Sequence, residues 1–336
     1  MFRAVQFGLA FLFAVCISAQ TRDSSAQPRY TVEGRFTPPA LATVSVNASA
    51  SPFTASVLSD QGGRFRIRNL AEGSYTLGIF IPGRGELRRT IVVSPSTVDR
   101  KRRLRLDLAL DDASLDREAA LNVSARQLSI SPQARRAFSD AMKRLSRNES
   151  EAAEAKLREA VKLSPQFCEA WNHLGTIAYQ TQRYPLAEEM FRKALETDEG
   201  MYEPLVNLGG VLINLGRNRE AEQYNRHAVL RKPGDALAHS QLGMSLLYQG
   251  RFHEAERSLR EAIRLDPAHF SYPQLHLAEA LIRQGKPKET ADVLEDFLRM
   301  NPDLPSASAI REQIRQFRNP SPDAPIRQTG SPPPAL

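Results

Sequence analysis

Ala170-Trp171-Asn172-His173-Leu174-Gly175 decides the fold, because its spacing returns along the chain. Trp171, Leu174 and Gly175 recur 34 residues later as Leu205, Leu208 and Gly209, and the last two return again as Leu242 and Gly243. Ala187, Ala221 and Ala255 keep the same interval, as do Ala194, Ala228 and Ala262. A glycine on one helix and an alanine on the next let two helices approach closely, while Trp171 and the leucines fill the remaining space. Gly216, Gly250 and Gly285 turn the chain within pairs, and Pro165, Pro233, Pro267 and Pro302 stop second helices.

The segment from Ala170 through Tyr184, Ala187, Phe191 and Ala194 resembles the tetratricopeptide repeat, a family of 34-residue helix pairs stacked into a right-handed superhelical solenoid. The pattern predicts five units at 134–167, 168–201, 202–235, 236–269 and 271–304. Departures are local: Glu199 replaces a proline, His239 replaces the aromatic, and Phe270 reads as a one-residue insertion. Residues 305–318 read as a capping helix, with Ile310, Ile314 and Phe317 on one face, followed by a Pro-rich tail without periodicity at 319–336.

Upstream, the period changes from helical to alternating. About seven short runs between 28 and 110, punctuated by Gly, Pro, Asn and Asp, predict a small antiparallel β-sandwich. Within it, Gly63-Arg64-Phe65-Arg66-Ile67-Arg68-Asn69-Leu70 followed by Gly73-Ser74-Tyr75 resembles the carboxypeptidase-regulatory-like domains, which are transthyretin-type sandwiches. The resemblance is to a non-catalytic module, so it implies no active-site residues. Residues 111–133 read as a polar linker.

The chain carries a formal charge of +7, and the excess lies in the β region, where 14 Arg and Lys between Gln20 and Leu110 face 7 acidic residues. Arg88, Arg89, Arg100, Lys101, Arg102, Arg103 and Arg105 suggest either a surface for an anionic glycan, lipid headgroup or acidic protein, or a solvated, charged edge that guards against aggregation. Nucleic acid is not an expected partner, since exposed aromatics are not interleaved with the basic residues.

Arg3, the apolar run from Phe7 to Ile17 and the small residues Ser18 and Ala19 read as a secretory signal peptide over 1–19, with an uncleaved anchor as the alternative. The run is shorter than the ~20 residues of a membrane span. An exported chain, periplasmic or at the cell surface, is the expectation. Cys16 lies in the leader, where lipidation is a second reading, which leaves Cys168 without an intrachain disulfide partner.

No phosphate loop, nucleophile elbow or His-Glu-x-x-His motif occurs, and the six histidines are scattered, so neither enzyme, metal nor cofactor is expected. The resemblance to tetratricopeptide proteins instead implies a concave groove lined by the first helix of each pair. Carried over by alignment, its lining is Phe138, Met142, Asn172, Thr176, Tyr179, Val206, Gly210 and Asn214 in the first three units. Ser240, Met244, Tyr248, Leu275, Glu279 and Arg283 continue it. This lining lacks the basic clamp with which chaperone-binding relatives hold a terminal carboxylate. The expected function is a scaffold in a bacterial cell envelope that takes a peptide or helix of a partner protein. The alternative is a polysaccharide-binding or adhesion protein acting through the sandwich, with the repeats as spacer.

Overall fold

The computed structural model describes residues 28–110, 129–302 and 304–319. The leader, most of the linker and nearly all of the tail lie outside the described residues. Seven strands come first: β1 (Tyr30–Thr37), β2 (Thr43–Ala48), β3 (Thr54–Leu58), β4 (Arg64–Leu70), β5 (Gly73–Ile81), β6 (Gly85–Val93) and β7 (Arg103–Ala109). They form two sheets, ordered β4-β1-β7 and β3-β2-β5-β6. Alternation places one side of each strand in a shared core: Phe65 and Ile67 of β4 are buried between exposed arginines and join Val32, Phe36, Val44, Val46, Leu77 and Ile79. Each such side chain, fully buried, contributes about 1.5–3 kcal/mol over its exposed state.

One expectation fails here. β1 and β7 pair in parallel, from Thr31↔Arg103 to Thr37↔Ala109, so the region is not wholly antiparallel. A two-residue period says which face a side chain takes and nothing of strand direction. These two strands meet only when the first and last runs of the region come together, and the intervening strands supply the long connection a parallel pair requires.

Eleven helices follow among the described residues. Five pairs are α1/α2 (Pro132–Leu145, Ser150–Leu163), α3/α4 (Cys168–Gln180, Tyr184–Thr197), α5/α6 (Tyr202–Asn214, Asn218–Arg231), α7/α8 (Ala236–Leu247, Phe252–Leu265) and α9/α10 (Pro273–Arg283, Pro287–Met300). The last helix is α11 (Ala307–Arg318). Ser131 opens α1 by accepting from the Ala134 amide with Pro132 behind it, and Asp235 opens α7 by accepting from the Leu237 and Ala238 amides. Between the helices of each pair one residue is left-handed: Asn148, Gln182, Gly216, Gly250 and Gly285, with φ from 60° to 77°.

Compactness divides the chain within α5, into one unit ending at Leu208 and another running on from Gly209. In the first unit the close approach is made at Gly175, where a Cβ would lie 2.6 Å from the Phe191 ring. In the second, Gly243 plays the same part against Leu259 at 2.5 Å. α11 closes that unit by setting Ile310 and Ile314 on Leu294 and Phe297, and Arg318 reaches back to Asp292 and Glu295 of α10.

Successive pairs are also tied by charge. The turn residue Arg183 holds Glu154 of the preceding pair at 2.7 Å, Arg251 holds Glu222 at 2.7 Å, and Lys286 holds Glu256 at 2.9 Å. Burial works against ionisation of Glu256, but Lys286, Gln284 and Arg260 together bring its carboxyl down to about 2. Each exposed ion pair of this kind is worth ~0–1 kcal/mol. Glu154, Glu222 and Glu256 stand at multiples of 34 residues from one another, so the spacing of these rungs is present in the sequence.

Candidate peptide-binding groove

The first helices α1, α3, α5, α7 and α9 carry the candidate lining. In the unit ending at Leu208, most of it is committed to packing. Phe138 lies on Phe167 with ring centroids 4.8 Å apart and meets His173 edge-on, and Met142 packs on the same core. Asn172 is 9% exposed and its Oδ1 accepts from Asn207 Nδ2 at 3.3 Å. Val206 is 3% exposed. Thr176 donates to the Asn172 carbonyl at 3.0 Å, and the Tyr179 ring meets Tyr184 edge-on. Asn172 and Val206 are thus corrected from ligand-facing to packing positions.

The β region lies against this same set of helices. β3 runs beside α1. Gln180 at the end of α3 donates to the Ala48 carbonyl at the end of β2, at 3.1 Å. Arg88 of β6 reaches Glu203 near the start of α5 at 2.6 Å while also gripping Glu86. The sheet order β3-β2-β5-β6 therefore runs in the sense α1, α3, α5. Three strand steps span about 14 Å. Thr90, paired to Thr76 and turned away from the β core, is only 8% exposed. The face of the four-stranded sheet that carries Thr76, Thr90 and Arg88 is the one turned toward these helices.

These contacts also break up the basic cluster expected from sequence. Arg88 and Arg89 belong to β6, while Arg103 and Arg105 belong to β7 in the other sheet. Strand neighbours in sequence were not neighbours in space.

In the unit from Gly209 onward the lining separates into committed and open residues. A Cβ on Gly210 would lie 2.5 Å from Gln241 Nε2, Ser240 is fully buried and hydrogen-bonded to Ser271 at 2.7 Å, and Leu275 is 5% exposed. Gly210, Ser240 and Leu275 are therefore structural. Asn214 is exposed, its Nδ2 donating to the Gly210 carbonyl at 2.9 Å, and Met244 is half-buried. Tyr248 is 45% exposed, yet partial burial and the charge of Glu279 push its hydroxyl up to about 12. Glu279 is itself raised by burial, against the attraction of Arg283 at 3.8 Å. An open depression lies beside Tyr248, bounded by Gly216, Arg217, Glu220, Gln249 and Arg251. Those rim residues come from the turns and, for Glu220, from the first turn of α6, which a first-helix alignment passes over. Gln249 and Arg251 were recoverable from their spacing to Glu222, which both contact.

Among the described residues the one cysteine is Cys168, which is buried, and burial and Glu169 push its thiol up to about 12. Among the described residues no group of three His, Cys, Asp or Glu could hold a metal ion, and no helix is long and apolar enough to cross a membrane.

The array of 34-residue helix pairs defines a helical repeat protein. Models of the tetratricopeptide repeat match residues 140–204, 178–242 and 236–269. Residues 140–269 are therefore tetratricopeptide repeats. Among solved structures, the chain is similar to YrrB, titled a TPR protein with an unusual peptide-binding site: 24% identity over 57% of this chain and 100% of that one, TM-score 0.46. MamA 41-end from Desulfovibrio magneticus RS-1 aligns at 20% identity over 53% of this chain and 99% of its own, TM-score 0.48. PilW, titled a widely conserved type IV pilus biogenesis factor, aligns at 20% over 56% and 91%, TM-score 0.48. No curated protein matches in sequence.

Proposed function

We propose that this chain is an exported, non-enzymatic scaffold that binds an extended or helical segment of a partner protein on the end of α5, α7 and α9. The observation that carries the reading is the division of the groove. Asn172, Val206 and Ser240 are used in packing, whereas Asn214, Tyr248 and Arg283 are exposed and Met244 and Glu279 are half-buried. An exposed amide, a thioether, an aromatic ring and one weak ion pair suit a neutral, partly apolar segment better than a terminal carboxylate. Affinity in the micromolar range, about −8 kcal/mol, fits a flexible ligand whose ordering offsets part of the contact energy.

The β region is read as a carboxypeptidase-regulatory-like sandwich that positions the array. Phe65, Leu70 and Tyr75 fill its core, Tyr75 donates to the Ala71 carbonyl at 2.9 Å, and Asn69 takes the left-handed turn at φ 69°. The leader at 1–19 motivates export to a bacterial envelope, which fractionation of cells expressing the chain with and without those residues tests. The groove reading is tested by selecting peptides from a display library on the purified chain, then repeating the selection with Asn214→Ala and Tyr248→Ala combined. Loss of the selected peptides is the expected result, and their undiminished capture by the double variant contradicts the assignment.

A further inference from the structure

Gln180, Asn214 and Tyr248 stand 34 residues apart, at the carboxyl end of the first helix in three successive pairs. In the third and fourth pairs this position is exposed. In the second it is taken by the chain's own β region: Gln180 Nε2 donates to the Ala48 carbonyl, at the end of β2, at 3.1 Å. A side-chain amide that reads a main-chain carbonyl is the bond a bound extended segment would make.

This occupant answers half of the amide. Gln180 Oε1 is buried without a hydrogen-bond partner among the described residues, and so is Ser49 Oγ of the residue after Ala48. An orphaned buried acceptor opposes the burial, so the contact carries its own tendency to open. An extended peptide presents N–H and C=O groups together and answers both ends of the amide. A helical one keeps its main-chain groups for its own hydrogen bonds.

The remainder of the contact is polar. The apolar cores of the β region and of α1 to α4 are separate clusters. The sheet face turned to the helices carries Thr76, Thr90 and Arg88, and the Arg88–Glu203 ion pair leaves its side chains 38% and 35% exposed. Contacts between regions that lack a large apolar interface open and close readily.

We propose that the β region is a displaceable occupant of a second peptide site on α3, where both ends of the Gln180 amide take the main chain of an extended segment once the Arg88–Glu203 link opens. The inference rests on the peptide reading for its class of ligand, while its site and its cover are separate from Asn214 and Tyr248. In the unaltered chain the covered state dominates, and apparent affinity at α3 falls in proportion to the open fraction.

Two measurements on the full chain test this. In the first, Thr90, 8% exposed on the covered face, is replaced (Thr90→Cys) in a background of Cys16→Ser and Cys168→Ser, and its labelling by a maleimide is timed. Arg88→Glu, which sets like charges against Glu203, should speed labelling about tenfold, and adding Glu203→Arg should return it to the starting rate. In the second, peptides are selected from a display library on the Arg88→Glu chain. A class that binds the unaltered chain about tenfold more weakly is expected. It should be lost with Gln180→Ala and kept with Asn214→Ala and Tyr248→Ala combined. Circular dichroism checks each variant, and Arg88→Gln takes the place of Arg88→Glu if the latter is misfolded. Unchanged labelling in the folded variant, labelling that stays fast after Glu203→Arg is added, or faster labelling without a peptide that depends on Gln180 overturns the inference and leaves the site at Asn214 and Tyr248 standing. Selection of no peptide on any of the chains overturns both readings.

Discussion

The second and third helix pairs are built on one 34-residue template and compromise it at different points. In the second, Phe191 fills the space behind Gly175, but the left-handed turn residue is Gln182. In the third, the turn has its glycine, Gly216, but the space behind Gly209 is taken by Asn225, fully buried and with neither side-chain atom hydrogen-bonded. The fourth pair makes neither compromise, with Leu259 behind Gly243 and Gly250 in the turn. A solenoid tolerates such exchanges because its stability is close to a sum of each pair's own stability and its interfaces with its immediate neighbours. The template is then a set of separable local terms, and each can be moved alone.

The largest effect is expected from Phe191→Ala, which empties the second pair's core and should cost about 3–5 kcal/mol in urea denaturation. A loss under 1 kcal/mol would mean the ring is dispensable and the comparison with Asn225 empty. Next comes His276 of the fifth pair, buried at 3% exposure, whose pKa burial holds down at about 4 against the usual 6.5. A base depressed in the folded state contributes stability that is present above pH 6.5 and is lost as pH falls toward 4. The loss approaches about 3 kcal/mol, and His276→Gln should remove most of it when denaturation at pH 7 is compared with that at pH 4.5. Asn225→Leu, which copies the fourth pair, should stabilise by about 1–3 kcal/mol because an orphaned buried amide disappears. Gln182→Gly, which copies the third, should add about 1 kcal/mol through relief of the left-handed backbone, less the entropy glycine brings to the unfolded chain. If the last two changes destabilise instead, the differences between pairs are adaptations rather than compromises.

The helices were legible because every device that builds them is local or periodic. Gly175, Gly209 and Gly243, the alanines that face them and the proline stops all recur in register. What periodicity could not supply was which first-helix residues the structure would spend internally. Ser240 is taken by Ser271, a partner 31 residues away, and Asn172 by Asn207 in the next first helix. The inserted Phe270 stacks on His269 and is followed by left-handed Tyr272, so α9 starts only at Pro273. In the β region, alternation identified the faces while leaving strand direction and sheet membership open. For that reason the parallel β1–β7 pair and the separation of Arg88 from Arg103 were not visible.

The central claim, that ligand binding belongs to the end of α5, α7 and α9 rather than to α3, is most directly tested by hydrogen exchange with and without a selected peptide. The account predicts slowed amide exchange across Ala236–Leu247 and Pro273–Arg283, with Cys168–Gln180 unchanged. Protection confined to Cys168–Gln180, or absent from the array altogether, would contradict it.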